Sequence, residues 1–369
     1  MKRFLSLIAA VITAVTFVSF SGCGSNNDTV SNLRGKYDKS LAGTTLNVFN
    51  WGEYISDGGE GSLDVIKAFE NLTGIKVNYS YYESNESMYA KLKTGAVSYD
   101  IIIPSDYMIQ RLISEDMLSE IDVSKLSNYD LIDSNYKGLY FDPDEKYSVV
   151  YNIGMVGLIY NTELVSGKVD SWSALWDEKY KDQILTFNNS RDAFALAQFL
   201  LGIDLNTTDK ADWDRAAKKL KEQNKVLQGR VMDEVFNKME SGEAALAPYY
   251  AGDYLTMKDE NDSLAFVYPK EGVNEFVDSI CIPKNCANYE AAMMFINYML
   301  EPEVAKANAE YICYATPNTA VRDDPDYAFY KNEILYPNED KKPKTQFFHD
   351  IDSDTRSYFE SLWEDVVQS

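Results

Sequence analysis

One histidine and four cysteines are all that 369 residues offer to chemistries built on those groups. His349 stands in the polar stretch Phe347-Phe348-His349-Asp350, so a Ser-His-Asp or Cys-His triad has no material unless His349 itself serves. No G-x-x-x-x-G-K phosphate cradle occurs. The run Asp57-Gly-Gly-Glu-Gly-Ser-Leu-Asp64 lacks the ligand spacing of a calcium loop and reads as a surface turn entering a helix. Cys281 and Cys286 have no second ligand pair for zinc. With Cys313 they form an odd set, read as small buried hydrophobes, with one disulfide and a spare thiol as the alternative. No metal or cofactor is implied. Basic side chains are the other shortage: 35 Lys and Arg against 58 Asp and Glu leave a formal charge of −23. Nucleic-acid phosphates demand a basic surface, which excludes that partner and favours a cationic or neutral ligand.

What is present is a folded chain. Hydrophobic residues make up 45%, too many for general disorder, and the length suits two domains of roughly 100 to 200 residues each. Residues 1–22 read as a secretory signal, with Lys2-Arg3, an apolar run over 4–20 and the small residues Ser21-Gly22. Phe20-Ser21-Gly22-Cys23 resembles a bacterial lipobox, which predicts a lipidated Cys23 and a flexible tether over 23–41.

Beyond residue 41, short strand-like and longer helix-like segments alternate. Residues 46–49 and 75–79 show period-two alternation, and Asp100-Ile-Ile-Ile-Pro104 is the apolar run of a strand buried on both faces. Helical stripes fall at Leu63, Val65, Ile66 and Phe69, and at Met108, Ile109, Leu112 and Ile113. The pattern restarts after Tyr151, with strands at 184–187, 264–268 and 277–283 and helices at 191–201, 213–223 and 289–300. This order predicts an α/β protein of two units, each a parallel sheet wrapped by helices.

Ligands of open α/β sheets bind beyond the carboxyl ends of the strands. There stand Asn50-Trp51-Gly52-Glu53-Tyr54, Pro104-Ser105-Asp106-Tyr107, Asn189-Ser190-Arg191-Asp192 and Tyr249-Tyr250-Ala251-Gly252-Asp253. Taken singly, each is a surface aromatic or a helix cap. As a set on one rim, rings and carboxylates suit an elongated polyamine: rings sandwich methylenes and attract ammonium groups, while acids neutralise them.

Phe49-Asn-Trp-Gly-Glu-Tyr54, Tyr82-Glu-Ser-Asn-Glu-Ser-Met-Tyr-Ala-Lys-Leu-Lys-Thr94, Tyr99-Asp-Ile-Ile-Ile-Pro-Ser105, Tyr268-Pro-Lys-Glu-Gly272 and Tyr314-Ala-Thr-Pro-Asn318 closely resemble the bacterial spermidine/putrescine-binding proteins, from about Thr44 to the C-terminal helix. The resemblance implies a two-lobed type II periplasmic-binding-protein fold with chain crossovers at a hinge. Lobe 1 would span 42–153 plus 277–322, and lobe 2 would span 154–276 plus 323–369. It implies a putrescine or spermidine ligand, delivery to an ABC transporter permease, and no enzymatic role. Carried onto matching positions, the ligand contacts are Trp51, Glu53, Tyr54, Ser105, Tyr107, Asn189, Asp192, Tyr250, Phe276, Asp278, Tyr314 and Glu360. Asp253, in Tyr250-Ala-Gly-Asp253, matches an acid of the putrescine-preferring branch. Asp278 is expected near the middle of the cleft, with Asp192, Asp253 and Glu360 toward the termini. The alternatives are a same-fold binding protein for another cargo, such as ferric iron or thiamine, and a carboxylate-based hydrolase using acids such as Asp253 and Asp278.

Overall fold

In chain order the elements are β1 (Thr45–Trp51), α1 (Val65–Thr73), β2 (Lys76–Tyr82), α2 (Asn85–Thr94), β3 (Ile101–Ile102), α3 (Asp106–Ser114) and β4 (Ser148–Asn161). There follow β5 (Ile184–Phe187), α4 (Ser190–Leu201), α5 (Lys210–Gln223), β6 (Leu227–Val231), α6 (Glu234–Glu240), β7 (Leu246–Tyr250), α7 (Ala251–Glu260) and β8 (Leu264–Val267). The chain ends with β9 (Val273–Cys281), α8 (Tyr289–Met299), α9 (Pro302–Ile312), α10 (Thr319–Arg322), β10 (Thr345–Gln346) and α11 (Ser353–Val367). These come from a computed structural model that describes residues 30–369. The expected signal segment and Cys23 lie outside the described residues.

Helix boundaries follow from local chemistry. Asp64 caps α1 by accepting the Lys67 amide at 2.8 Å, and Gly74 ends it in the left-handed region at φ 74°. Asn189 caps α4 through the Asp192 amide at 2.9 Å. Each of these helices starts directly after a strand or tight turn, which places its first turn at a sheet edge.

The fold is mixed α/β and two-lobed. β2, β1 and β3 run parallel, as do β6, β5 and β7, and these triplets head the two lobes. The expectation of purely parallel sheets is corrected by what joins them. β9 pairs antiparallel with both β3 and β4, and β4 continues antiparallel to β7 and β8. β4 and β9 thus pass from one lobe into the other, and β9 is buried at every position. Strands with no solvated face carry no period-two signal. β4 also bulges between Val150 and Asn152, beside Asp278 on β9.

Each lobe buries its own core: Trp172, Phe187, Phe194 and Trp213 in the second, and Val48, Phe69, Phe295 and Tyr298 in the first. The tail divides between them. Tyr327 packs with Ala309 and Val321 of the first lobe, and the Tyr336 hydroxyl accepts the Thr316 amide at 2.8 Å. Residues 323–336 therefore lie on lobe 1, not on lobe 2 as the sequence suggested. From β10 through α11 the tail joins lobe 2, where Phe348 and Ile351 enter its core and Phe359 stacks on Trp213 at 4.6 Å.

The expected tether ends early. Val30, Leu33 and Tyr37 are buried on lobe 1, the Tyr37 hydroxyl donates to Glu301 at 2.6 Å, and Lys36 pairs with the same carboxylate. Three apolar side chains among polar ones are enough to dock this stretch. Cys281, Cys286 and Cys313 are free thiols.

Candidate functional site

The carboxyl ends of the strands of both lobes converge on one cavity of ≈130 Å³. Its lining includes Trp51, Glu53, Tyr54, Ser105 and Tyr107 from lobe 1, with Tyr314 after α9. Lobe 2 adds Asn189, Asp192, Tyr250 and Asp253, and the crossing strand β9 adds Phe276 and Asp278. The structure brings these twelve sequence-selected residues together. It does not bring Glu360. Glu360 lies exposed at an adjoining narrow pocket that shares Glu86, Tyr107 and Arg191 with this one, with Glu86, Arg356 and Arg111 nearby.

Backbone close approaches shape the walls. Phe276 lies across Gly154 of β4, where an added Cβ would stand 2.4 Å from the ring. At Gly252 an added Cβ would stand 2.3 Å from the Tyr314 ring and 2.9 Å from the Cys313 carbonyl, so α7 of lobe 2 meets lobe 1 only because the residue is glycine. The rings interlock: Tyr54 meets Tyr314 edge-on at 5.2 Å and Tyr250 meets Phe276 at 5.5 Å. Trp51 tilts against Tyr82 at 4.8 Å, its indole N–H donating to the Ile103 carbonyl at 2.9 Å.

Four tyrosine hydroxyls of the lining each donate to a carboxylate. Tyr54 binds Asp278 at 2.7 Å, Tyr250 binds Asp192 at 2.7 Å, Tyr107 binds Glu86 at 2.8 Å, and Tyr314 reaches across the lobes to Asp253 at 3.0 Å. Burial holds all four phenols protonated, well above the ordinary tyrosine range. Each hydroxyl thus fixes an acid while its own oxygen remains an acceptor. Asn189 adds a second donor to Asp192 at 2.8 Å.

The lining holds eight carboxylates against one guanidinium, that of Arg191. Burial pushes the Asp253 carboxyl up to about 8, with the fields of Asp233 and Glu53 adding to it. It pushes Asp278 up to about 6, against the hydrogen bond from Tyr54. Burial also raises Asp192, with Glu86 contributing. Such shifts mark desolvated anions that lack a countercharge. Asp278 is 4% exposed and its Oδ1 has no hydrogen-bond partner, as if awaiting a donor. Asp192 lies in the field of Glu86, Asp278 in that of Asp192, and Asp253 in those of Asp233 and Glu53. Aromatic walls lined by several acids match an organic cation with more than one charge.

Sequence reasoning missed Glu83, Glu86, Asp233 and Phe348 of this lining, and placed Asp106, Arg191 and Tyr249 on the rim without choosing them as contacts. A signal existed for some: Glu83 and Glu86 stand in the Tyr82–Thr94 motif, and Asp106 and Arg191 adjoin selected residues. Among the described residues no group of three His, Cys, Asp or Glu side chains could hold a metal ion.

The family model described as bacterial extracellular solute-binding protein matches residues 64–336. The spermidine/putrescine-binding periplasmic protein of Salmonella typhimurium is 37% identical over 326 residues, 87% of this chain and 90% of that protein. Its Escherichia coli counterpart is 36% identical over 322 residues, 86% of this chain and 90% of that protein. Among solved structures, the spermidine/putrescine substrate-binding protein PotD of Streptococcus pneumoniae superposes with a TM-score of 0.74 at 32% identity, covering 88% of this chain and 99% of that one.

Proposed function

The chain belongs to the bacterial extracellular solute-binding proteins, and from that premise we propose that it captures putrescine or spermidine and delivers it to an ABC transporter. The observation that carries this reading is an interlobe cavity in which eight carboxyl groups face one guanidinium among edge-on and tilted rings. Ammonium groups supply the missing countercharge, and methylenes fill the space between the rings. The ligand is held unchanged; binding is stabilised because both lobes contact it at once, which favours the closed arrangement. In this reading β4 and β9 form the hinge between the lobes, and the tail crosses back from lobe 1 to lobe 2 ahead of β10.

A panel of diamines, triamines and control cations tested by thermal shift checks the reading, since a ligand bound only by the native form raises Tm by mass action. Putrescine or spermidine is expected to raise Tm at micromolar concentration; no shift with either contradicts the proposal.

Cys23 is the proposed lipid attachment point, which keeps the protein on the outer face of a membrane. Metabolic labelling with a fatty acid is expected to mark the wild type and not Cys23→Ala; equal labelling of both rejects the assignment.

A further inference from the structure

Glu86 enters the cavity from the first turn of α2, whose start is fixed by the Ser84 capping box. Its carboxylate accepts the Tyr107 hydroxyl, and the Tyr107 oxygen accepts Asn85 Nδ2 at 3.2 Å. The guanidinium of Arg191 makes its hydrogen bonds to Asn206 at 3.2 Å and the His349 carbonyl at 3.3 Å and lies 4.5 Å from the Phe348 ring, so its charge reaches Glu86 and Asp192 without a hydrogen bond to either. Across the cleft, lobe 2 presents Asp192, held in place by Asn189 and Tyr250. In the same cavity the orphaned Oδ1 of Asp278 marks where a further donor belongs.

Resting on the polyamine reading, we propose that Glu86 and Asp192, one from each lobe, jointly take a terminal ammonium of the ligand, and that Glu86 helps set the preference for diamines over monoamines. An ammonium has three N–H donors, and the four oxygens of two carboxylates offer acceptors beyond those that Tyr107, Tyr250 and Asn189 already use. In the empty protein the two acids repel, which favours separated lobes; the ammonium turns that repulsion into attraction on both sides.

The test is titration calorimetry of wild type, Glu86→Gln, Tyr107→Phe and the double variant with putrescine and with butylamine, alongside thermal unfolding of each empty protein. Glu86→Gln is expected to weaken putrescine binding about tenfold or more. It should narrow the putrescine-to-butylamine ratio and leave the empty protein's Tm unchanged or raised, because a repulsion is gone. Tyr107→Phe should cost less than Glu86→Gln. Putrescine affinity of Glu86→Gln within about twofold of wild type overturns the proposal. So do equal losses in both single variants that do not add in the double variant, which would make Glu86 a positioning residue behind Tyr107, and so does a lowered Tm of the empty Glu86→Gln protein. A wild type that binds neither putrescine nor spermidine overturns the polyamine reading itself, and this inference with it.

Discussion

At the scale of single residues, the cavity is a set of acids held ready at electrostatic cost. Asp278 shows it most directly: one oxygen accepts Tyr54 and the other, buried, has no partner. Replacing Asp278 with Ala is expected to cost about 2 to 5 kcal/mol of polyamine affinity, because the ligand ammonium then lies buried without its anion. Unchanged affinity by calorimetry would remove Asp278 from the site. Asp278→Asn should also raise the Tm of the empty protein while lowering ligand affinity, since the desolvated charge disappears. The raised carboxyls have a pH consequence as well. A carboxyl at about 8, such as Asp253, keeps its proton in the folded chain where the unfolded chain has lost it. The folded state therefore binds more protons, and its stability falls as pH rises from about 4, the ordinary aspartate value, through about 8. Ammonium favours the ionised form, so binding at pH 7 should release protons and affinity should rise between pH 6 and 8. Calorimetry in buffers of different ionisation enthalpy measures that release; a heat independent of buffer contradicts it.

At the scale of elements, contact between the lobes depends on two glycines. Gly252 at the start of α7 leaves room for Tyr314 and the Cys313 carbonyl, and Gly154 of β4 lies under Phe276. Gly252→Ala is expected to hold the lobes apart and weaken polyamine binding about tenfold or more, with little loss of Tm, because each lobe keeps its own core. Wild-type affinity in this variant would show that close approach is not needed for capture. Much of the element pattern was legible beforehand. β1, β2 and β3 show their alternation or apolar run, and the stripes of α1, α3, α4, α5 and α8 stand out. β4 does not, because its burial on both faces removes the alternation. α2 was legible only through its motif, since among its residues just Asn85, Met88 and Leu92 are buried. Glu360 stands in the adjoining pocket rather than in this lining for a tertiary reason: α11 is seated by Phe359 packing on Trp213, which no local pattern reports. Arg191 looked like an ordinary first-turn residue of a helix; its burial against Phe348 comes from a tail segment remote in sequence.

At the scale of the whole molecule, a formal charge of −23 surrounds a cavity that is itself acidic. Such a field draws polycations toward the cleft, so the association rate for spermidine should fall steeply as ionic strength rises, while that of a neutral solute would not. Stopped-flow tyrosine and tryptophan fluorescence measures it, and a rate indifferent to salt rejects steering. The central claim is that two lobes pool opposed rings and carboxylates around a small organic polycation. Titration calorimetry of the purified protein with putrescine, spermidine and the diacetylated, uncharged form of putrescine tests it most directly. The account predicts micromolar or tighter binding of a charged amine and no measurable binding of the acetylated one. Equal binding of charged and acetylated forms, or of none of the three, would contradict it.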